Sequence, residues 1–206
     1  LSVGLVNGRN VWRCELEPVL AQLQFAQERF GDNLWYALAS KGYRYGGRNG
    51  PPTNDEYRSD SLWSYETGVR LNPTRDMQLD LSAFLLDWKE AQFTFFERIG
   101  NLPNSRIGNV GKARSTGLEA ALRYRFNPMF DMSASLAYVD AQTRAAVTIP
   151  SGGPRSIVVP PGSPLPGTAE LQAALQGNLR FAGPFQSRGR ANATYTHVGD
   201  RVMFLG

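Results

Sequence analysis

The residues best suited to chemistry stand together in Tyr43-Arg44-Tyr45-Gly46-Gly47-Arg48, at the entrance to a Gly-, Pro- and Asn-rich tract that reaches to about Asp60. A guanidinium fork pairs with carboxylates and similar anions through parallel hydrogen bonds, and a phenol ring stacks on flat ligands. Tyr43, Arg44, Tyr45 and Arg48 are therefore a candidate ligand-binding group for an anionic chelate. Catalysis finds no comparable support. Asp55, Glu56 and Asp60 lie in the same tract without a partner histidine and read as solvated loop charges. The single histidine, His197, and the single cysteine, Cys14, have no neighbours of metal-ligand type, so neither a metal, another cofactor nor an internal disulfide is expected. Gly46-Gly47 and Gly152-Gly153 sit in loops rather than at the head of a helix, which removes the phosphate-binding reading. The sequon Asn192-Ala193-Thr194 falls inside a strand pattern. Binding rather than enzymatic turnover is the expectation.

The elements that must position this group alternate in polarity with a period of two, the mark of strands. In the clearest case Leu118, Ala120, Leu122, Tyr124 and Phe126 share one face and Glu119, Ala121, Arg123 and Arg125 the other. After Asn127-Pro128 the alternation resumes with Met132, Ala134, Leu136 and Tyr138, giving a hairpin. Similar strands are predicted from Val19 to Phe25, from Asn33 to about Tyr43, from Ser61 to Asn72, from Met77 to about Trp88, from Glu170 to Phe181, and around Ala191 to Tyr195. Phe84-Leu85-Leu86 blurs the faces and suggests a bulge. The opening residues read as a strand end followed by the turn dipeptide Asn7-Gly8.

From Val19 onward the connections alternate short, long, short, long. The long ones, 46–60, 89–110 and 141–168, are rich in Gly, Pro and Ser and are expected to be irregular. That order suits a barrel crossing an outer membrane, with short turns at one rim and long loops at the other. The strand lengths also approach the ~9–11 residues a tilted membrane strand needs. Aromatics gather in two belts around a Leu-, Ala- and Val-rich middle. Trp35, Tyr36, Tyr124, Phe126, Phe130, Phe181 and Phe185 lie by the short turns, and Tyr43, Tyr45, Trp63, Tyr65, Trp88, Tyr138 and Tyr195 by the long loops. Mean hydropathy of -0.34 is no objection, because half of every barrel strand is polar. The net charge of +4 comes from 22 basic and 18 acidic residues scattered without a run, so nucleic acid is not an expected partner.

Five segments, Tyr36 to Gly47, Leu62 to Val69, Phe84 to Gln92, Asn109 to Glu119 and Val198 to Arg201, resemble in order and spacing the C-terminal part of the β-barrel of TonB-dependent outer-membrane receptors. The resemblance runs from about Val19 to Arg201. It implies an all-β fold, an antiparallel up-and-down transmembrane β-barrel that is incomplete, with about eight strands of a total near 22. Residues 1–206 are then expected to be one partial barrel domain, a fragment lacking the plug, the energy-coupling segment and the C-terminal closing strand. The function implied is energy-coupled uptake of a scarce ligand, an iron–siderophore complex, across the outer membrane of a Gram-negative bacterium. The partners implied are outer-membrane lipid and lipopolysaccharide, an inner-membrane TonB-type energy-coupling protein acting through the plug, and the iron chelate. Tyr43 and Tyr45 have an alternative place in the aromatic belt, and Arg44 and Arg48 on lipopolysaccharide phosphates. A passive porin and a soluble carbohydrate-binding β-domain are the alternatives for the whole.

Overall fold

The computed structural model describes residues 2–6, 9–13, 16–17, 20–28, 33–99, 102–150 and 156–203. Asn7-Gly8, Cys14 and Gly152-Gly153 lie outside them. Strands β1 (Ser2–Val6) and β2 (Arg9–Arg13) form an antiparallel pair flanking the expected turn. There follow β3 (Leu16–Glu17), β4 (Leu20–Glu28), β5 (Leu34–Arg44), β6 (Gly47–Arg48), β7 (Glu56–Tyr57), β8 (Asp60–Thr74) and β9 (Met77–Lys89). The chain continues through β10 (Gln92–Ile99), β11 (Leu102–Asn109), β12 (Lys112–Arg125), β13 (Phe130–Thr143), β14 (Val147–Pro150), β15 (Ser156–Val159), β16 (Leu171–Ala182) and β17 (Arg188–Val198).

One nine-stranded sheet, in the order β3-β4-β5-β8-β9-β12-β13-β16-β17, carries the architecture. Every neighbour in it is antiparallel, and β3 and β17 lie at its open ends. This is the predicted all-β meander. Among the described residues no helix is long and apolar enough to cross a membrane, which says nothing about crossing by strands.

The expected bulge at Phe84-Leu85-Leu86 is absent, since β9 pairs without a register shift through these residues with both β8 and β12. Phe84 points inward instead, filling the space that the missing side chain of Gly117 leaves, where an added Cβ would stand 2.4 Å from the ring. The register shift lies between Leu71 and Thr74, around Pro73, which has no N–H to give to the ladder. The long tracts are also less irregular than expected. Strands β10 and β11 pair antiparallel along their whole length, and the other two tracts carry the short antiparallel pairs β6–β7 and β14–β15.

The two faces of the sheet differ as the alternation predicts. Leu118, Leu136, Tyr138, Leu171, Leu175, Leu179, Phe181 and Tyr195 share the outer face and all are exposed. The inner face carries Glu66, Arg70, Asp80, Glu119, Arg123, Arg125, Gln176, Asn178 and Arg180, tied by Arg70–Asp80 at 2.6 Å, Arg125–Asp76 at 2.7 Å and Arg180–Asp131 at 2.7 Å. A concavity of about 590 Å³ opens on this side, lined by Tyr36, Glu66, Asp80, Glu119, Gln172 and Thr196 among others. Two aromatics leave the belts assigned to them: Tyr36 faces inward and its hydroxyl donates to Glu66 at 2.6 Å, and Trp88 faces inward at the long-loop rim.

The apolar core lies beside the wall rather than within it. Ala91, Val110, Ala113, Ala141, Val147, Val159 and Leu165 are buried together, with Trp88, Phe93, Phe95 and Val139 packed against them. All belong to the long-loop rim, where hairpins β10–β11 and β14–β15 fold back on the ends of β9, β12 and β13.

Candidate functional site

Arg44 ends β5 and Asp60 begins β8, and the two are direct partners in the ladder. Period-two alternation sends Arg44 to the face opposite Tyr43 and toward the rim core. There the Asp60 side chain, only 2% exposed, gathers donors from three other strands. Arg44 Nε donates to both carboxylate oxygens, at 3.1 and 3.0 Å, and its Nη2 closes the ion pair on Oδ2. Trp88 Nε1 donates to Oδ2 at 3.0 Å from the end of β9, and the Gln92 backbone N–H at 3.1 Å from the start of β10. The guanidinium also stands 5.1 Å over the Trp88 ring, a cation–π contact. The reading of Asp60 as a solvated loop charge is thereby corrected: a buried carboxylate is tolerable because its lone pairs are occupied and its charge is balanced.

From this point the loops are joined by side chains that stand in for backbone. Gln92 Nε2 donates to the carbonyls of Tyr45 at 3.0 Å and Arg58 at 2.9 Å, at either end of loop 45–59. Asn109 accepts from the Arg58 N–H at 2.7 Å and donates to the Arg58 and Glu90 carbonyls at 2.9 and 2.6 Å. Asn49 imitates a strand partner for Ile107, accepting from its N–H and donating to its C=O, both at 2.8 Å. Asp55 pairs with Arg106 at 2.6 Å and accepts from Asn49 at 3.0 Å. Burial pushes the Asp55 carboxyl up, but the donors around it, Thr53, Arg106 and Asn49, outweigh this and hold it below the usual carboxylate range.

Of the four residues singled out in the sequence, Tyr43 and Tyr45 meet edge to face, ring centroids 5.0 Å apart. Arg44 is turned away from them into the Asp60 pair. Arg48 lies in the small β6–β7 hairpin with its guanidinium 3.7 Å from Glu56, both side chains largely exposed. The structure thus brings the two rings together and sends the two guanidiniums to different surroundings. Asp60, Gln92, Asn49 and Asn109 were not picked out by sequence reasoning. The available signal was a ladder pair of opposite charge at the mouth of a long loop.

The sequence matches the family described as "TonB dependent receptor-like, beta-barrel" over residues 21–204. This chain belongs to the TonB-dependent receptors. The family is one of outer-membrane transporters rather than enzymes. The fold is similar to that of the ferric yersiniabactin uptake receptor FyuA from Yersinia pestis, with a TM-score of 0.64 and 20% identity over 87% of this chain and 26% of that one. It is also similar to the copper transporter OprC, with a TM-score of 0.60 and 16% identity over 86% of this chain and 25% of that one. The siderophore receptor PirA from Acinetobacter baumannii gives a TM-score of 0.50, at 12% identity over 78% of this chain and 26% of that one. The chain therefore spans about a quarter of the length of these receptors, and at such identities the likeness is one of fold. A further match, 51% identical over 37 residues, is to a protein of Saccharophagus degradans named as a homocysteine methyltransferase. It covers 18% of this chain and 5% of that protein, and no activity is carried over from it.

Proposed function

We propose that this TonB-dependent receptor wall lies in the outer membrane of a Gram-negative bacterium and serves energy-coupled import of a scarce metal chelate, with a ferric siderophore as the first candidate. The observation that carries the reading is the two-faced wall: exposed Leu, Ala and aromatic side chains outside, hydrogen-bonded polar groups inside, and a folded loop surface at one rim. An exposed apolar outer face of this extent suits lipid and argues against the soluble alternative. Ligand contact falls to the long loops, where Tyr45 is 69% exposed and the Arg48 side chain is also largely exposed. Energy would reach the barrel from an inner-membrane TonB-type protein through a plug, which separates this reading from a passive porin.

The outer face at the long-loop rim fits lipopolysaccharide as the surrounding lipid. Lys89 and Lys112 are direct ladder partners there, Arg114 pairs with Asp87 at 3.1 Å, and Lys41 stands 5.5 Å over the Trp63 ring. Like charges directly opposite on neighbouring strands repel, and phosphate groups at headgroup level would relieve them.

The test uses the full-length protein in a strain lacking its other iron receptors. Uptake of radioactive iron is measured from single catecholate, hydroxamate and carboxylate chelates, with and without the proton motive force. Saturable uptake of one chelate that stops when the force is collapsed is expected. Uptake indifferent to the force, and unselective, would replace the receptor with a porin.

A further inference from the structure

We propose that Asp60 is the positioning residue of the ligand-capture surface: its buried carboxylate holds loops 45–59 and 90–111 as one preformed block on the wall. The inference rests on the receptor reading above and goes beyond it by assigning the residue that orients the loops. Three strands converge on this one side chain of a fourth. Arg44 leads directly into Tyr45, Trp88 is the last residue but one of β9, Asp60 opens β8, and Gln92 opens β10. Arg44 Nη2 also donates to the Gln92 carbonyl at 3.2 Å, so both backbone groups of Gln92 are held in the Asp60–Arg44 cluster.

Once Gln92 is fixed, its amide side chain reaches the carbonyls of Tyr45 and Arg58 and so clamps both ends of loop 45–59. Asn49 and the Asp55–Arg106 pair join the distal parts of the same two loops to each other. The order of dependence is therefore from the wall through Asp60 to Gln92, and from Gln92 to the segment that carries Tyr45 and Arg48. Separate flexible loops would lose conformational entropy on gripping a ligand, whereas a block already fixed has lost it in advance. Asparagine at position 60 keeps the shape but removes the charge, leaving an amide that cannot accept from Arg44, Trp88 and Gln92 together.

The experiment compares wild type with Asp60→Asn, Gln92→Ala and Arg44→Gln in the full-length receptor. Amide hydrogen exchange is followed at Gln92, Arg58 and Ile107, and at wall residues 79–83 and 118–122. Asp60→Asn is expected to speed exchange at Gln92 and Arg58 at least tenfold, and Gln92→Ala at Arg58 but not at position 92, whose backbone N–H still donates to Asp60, with the wall residues unchanged in both. The Kd for whichever chelate the wild type imports should rise in parallel, at an unchanged number of assembled receptors. Unchanged loop exchange overturns the proposal, and so does faster exchange with an unchanged Kd. Should Asp60→Asn fail to assemble, Arg44→Gln decides in its place, because it removes the guanidinium that holds Asp60 and the Gln92 carbonyl, and faster exchange at Gln92 and Arg58 is expected there too. Failure of the wild type to import any chelate counts against the receptor reading, and the exchange data then judge the loop coupling by themselves.

Discussion

Replacing Leu175 by arginine tests which face of the sheet meets lipid. Leu175 lies on β16 between Ala134 and Tyr195 in the ladders, on the outer face, and is 45% exposed. Tyr138, opposite Leu171, marks the upper belt. The four residues from Leu171 to Leu175, rising about 3.4 Å each along a strand tilted by roughly 45°, carry the chain about 10 Å below that belt. With an apolar band about 25 Å tall, Leu175 falls within about 3 Å of the midplane. Arginine there costs about 2–4 kcal/mol, which is roughly a 30- to 700-fold loss in the folding equilibrium. Its neighbour Gln176 faces inward, paired with Ser133 and Thr194, and an arginine at that position remains solvated at a cost below about 1 kcal/mol. The assay is the fraction of full-length protein migrating as folded barrel on unheated gels across a urea series. A large shift for Leu175→Arg and a small one for Gln176→Arg is expected, and equal shifts would refute the assignment of faces.

Gly68→Ala should destabilise the barrel by about 1–3 kcal/mol, because an added Cβ would sit 2.6 Å from the Tyr36 ring. In a Tyr36→Ala background most of that cost should vanish, and melting temperatures of the double-mutant cycle would reveal it. Asp55 has a folded-state pKa below its unfolded value, so its contribution to loop coupling is fully present above the ordinary carboxylate range. That contribution is lost as pH falls through the depressed value, and exchange at Ile107 should accelerate only there. In Asp55→Asn the same amide should lose this acid step. Lys89→Gln with Lys112→Gln should remove the thermal stabilisation given by diphosphorylated lipid A in bicelles, while dephosphorylated lipid A should stabilise neither form.

The wall was legible in the sequence because one face is apolar and exposed and the other polar, which imposes a strict two-residue period. Leu118 to Phe126 and Leu171 to Phe181 could be assigned to faces without any knowledge of their partners. Legibility fails where that constraint ends. Phe93, Phe95 and Phe96 crowd β10 with apolar groups because Phe93 and Phe95 pack on the rim core, so the alternation that announces a hairpin is obscured. Phe84 and Leu86 looked like a bulge because inward positions near the rim can also be apolar, one over Gly117 and the other between Ser64 and Ser115. In the candidate site the opposition of Arg44 to Tyr43 and Tyr45 follows from the same period. The role of Asp60 does not, because its donors come from residues up to 32 positions away and are fixed only by the ladder register.

The location of the buried residues governs how the protein can change over generations. Among the described residues every buried hydrophobic side chain belongs to the long-loop rim, while the outer wall exposes its leucines, in the proposed setting to fluid lipid. Shortening a side chain in a packed interior leaves a cavity, and that cavity adds to the lost transfer energy. A hydrocarbon chain can flow into the space left by a trimmed Leu136 or Leu179, so only the transfer part remains. The membrane band is free to drift among apolar residues of any size, and the rim residues such as Val110, Ala113 and Val159 are not. Divergence in this barrel should therefore run fastest at mid-wall and slowest under the loops, the reverse of the gradient in a globular domain.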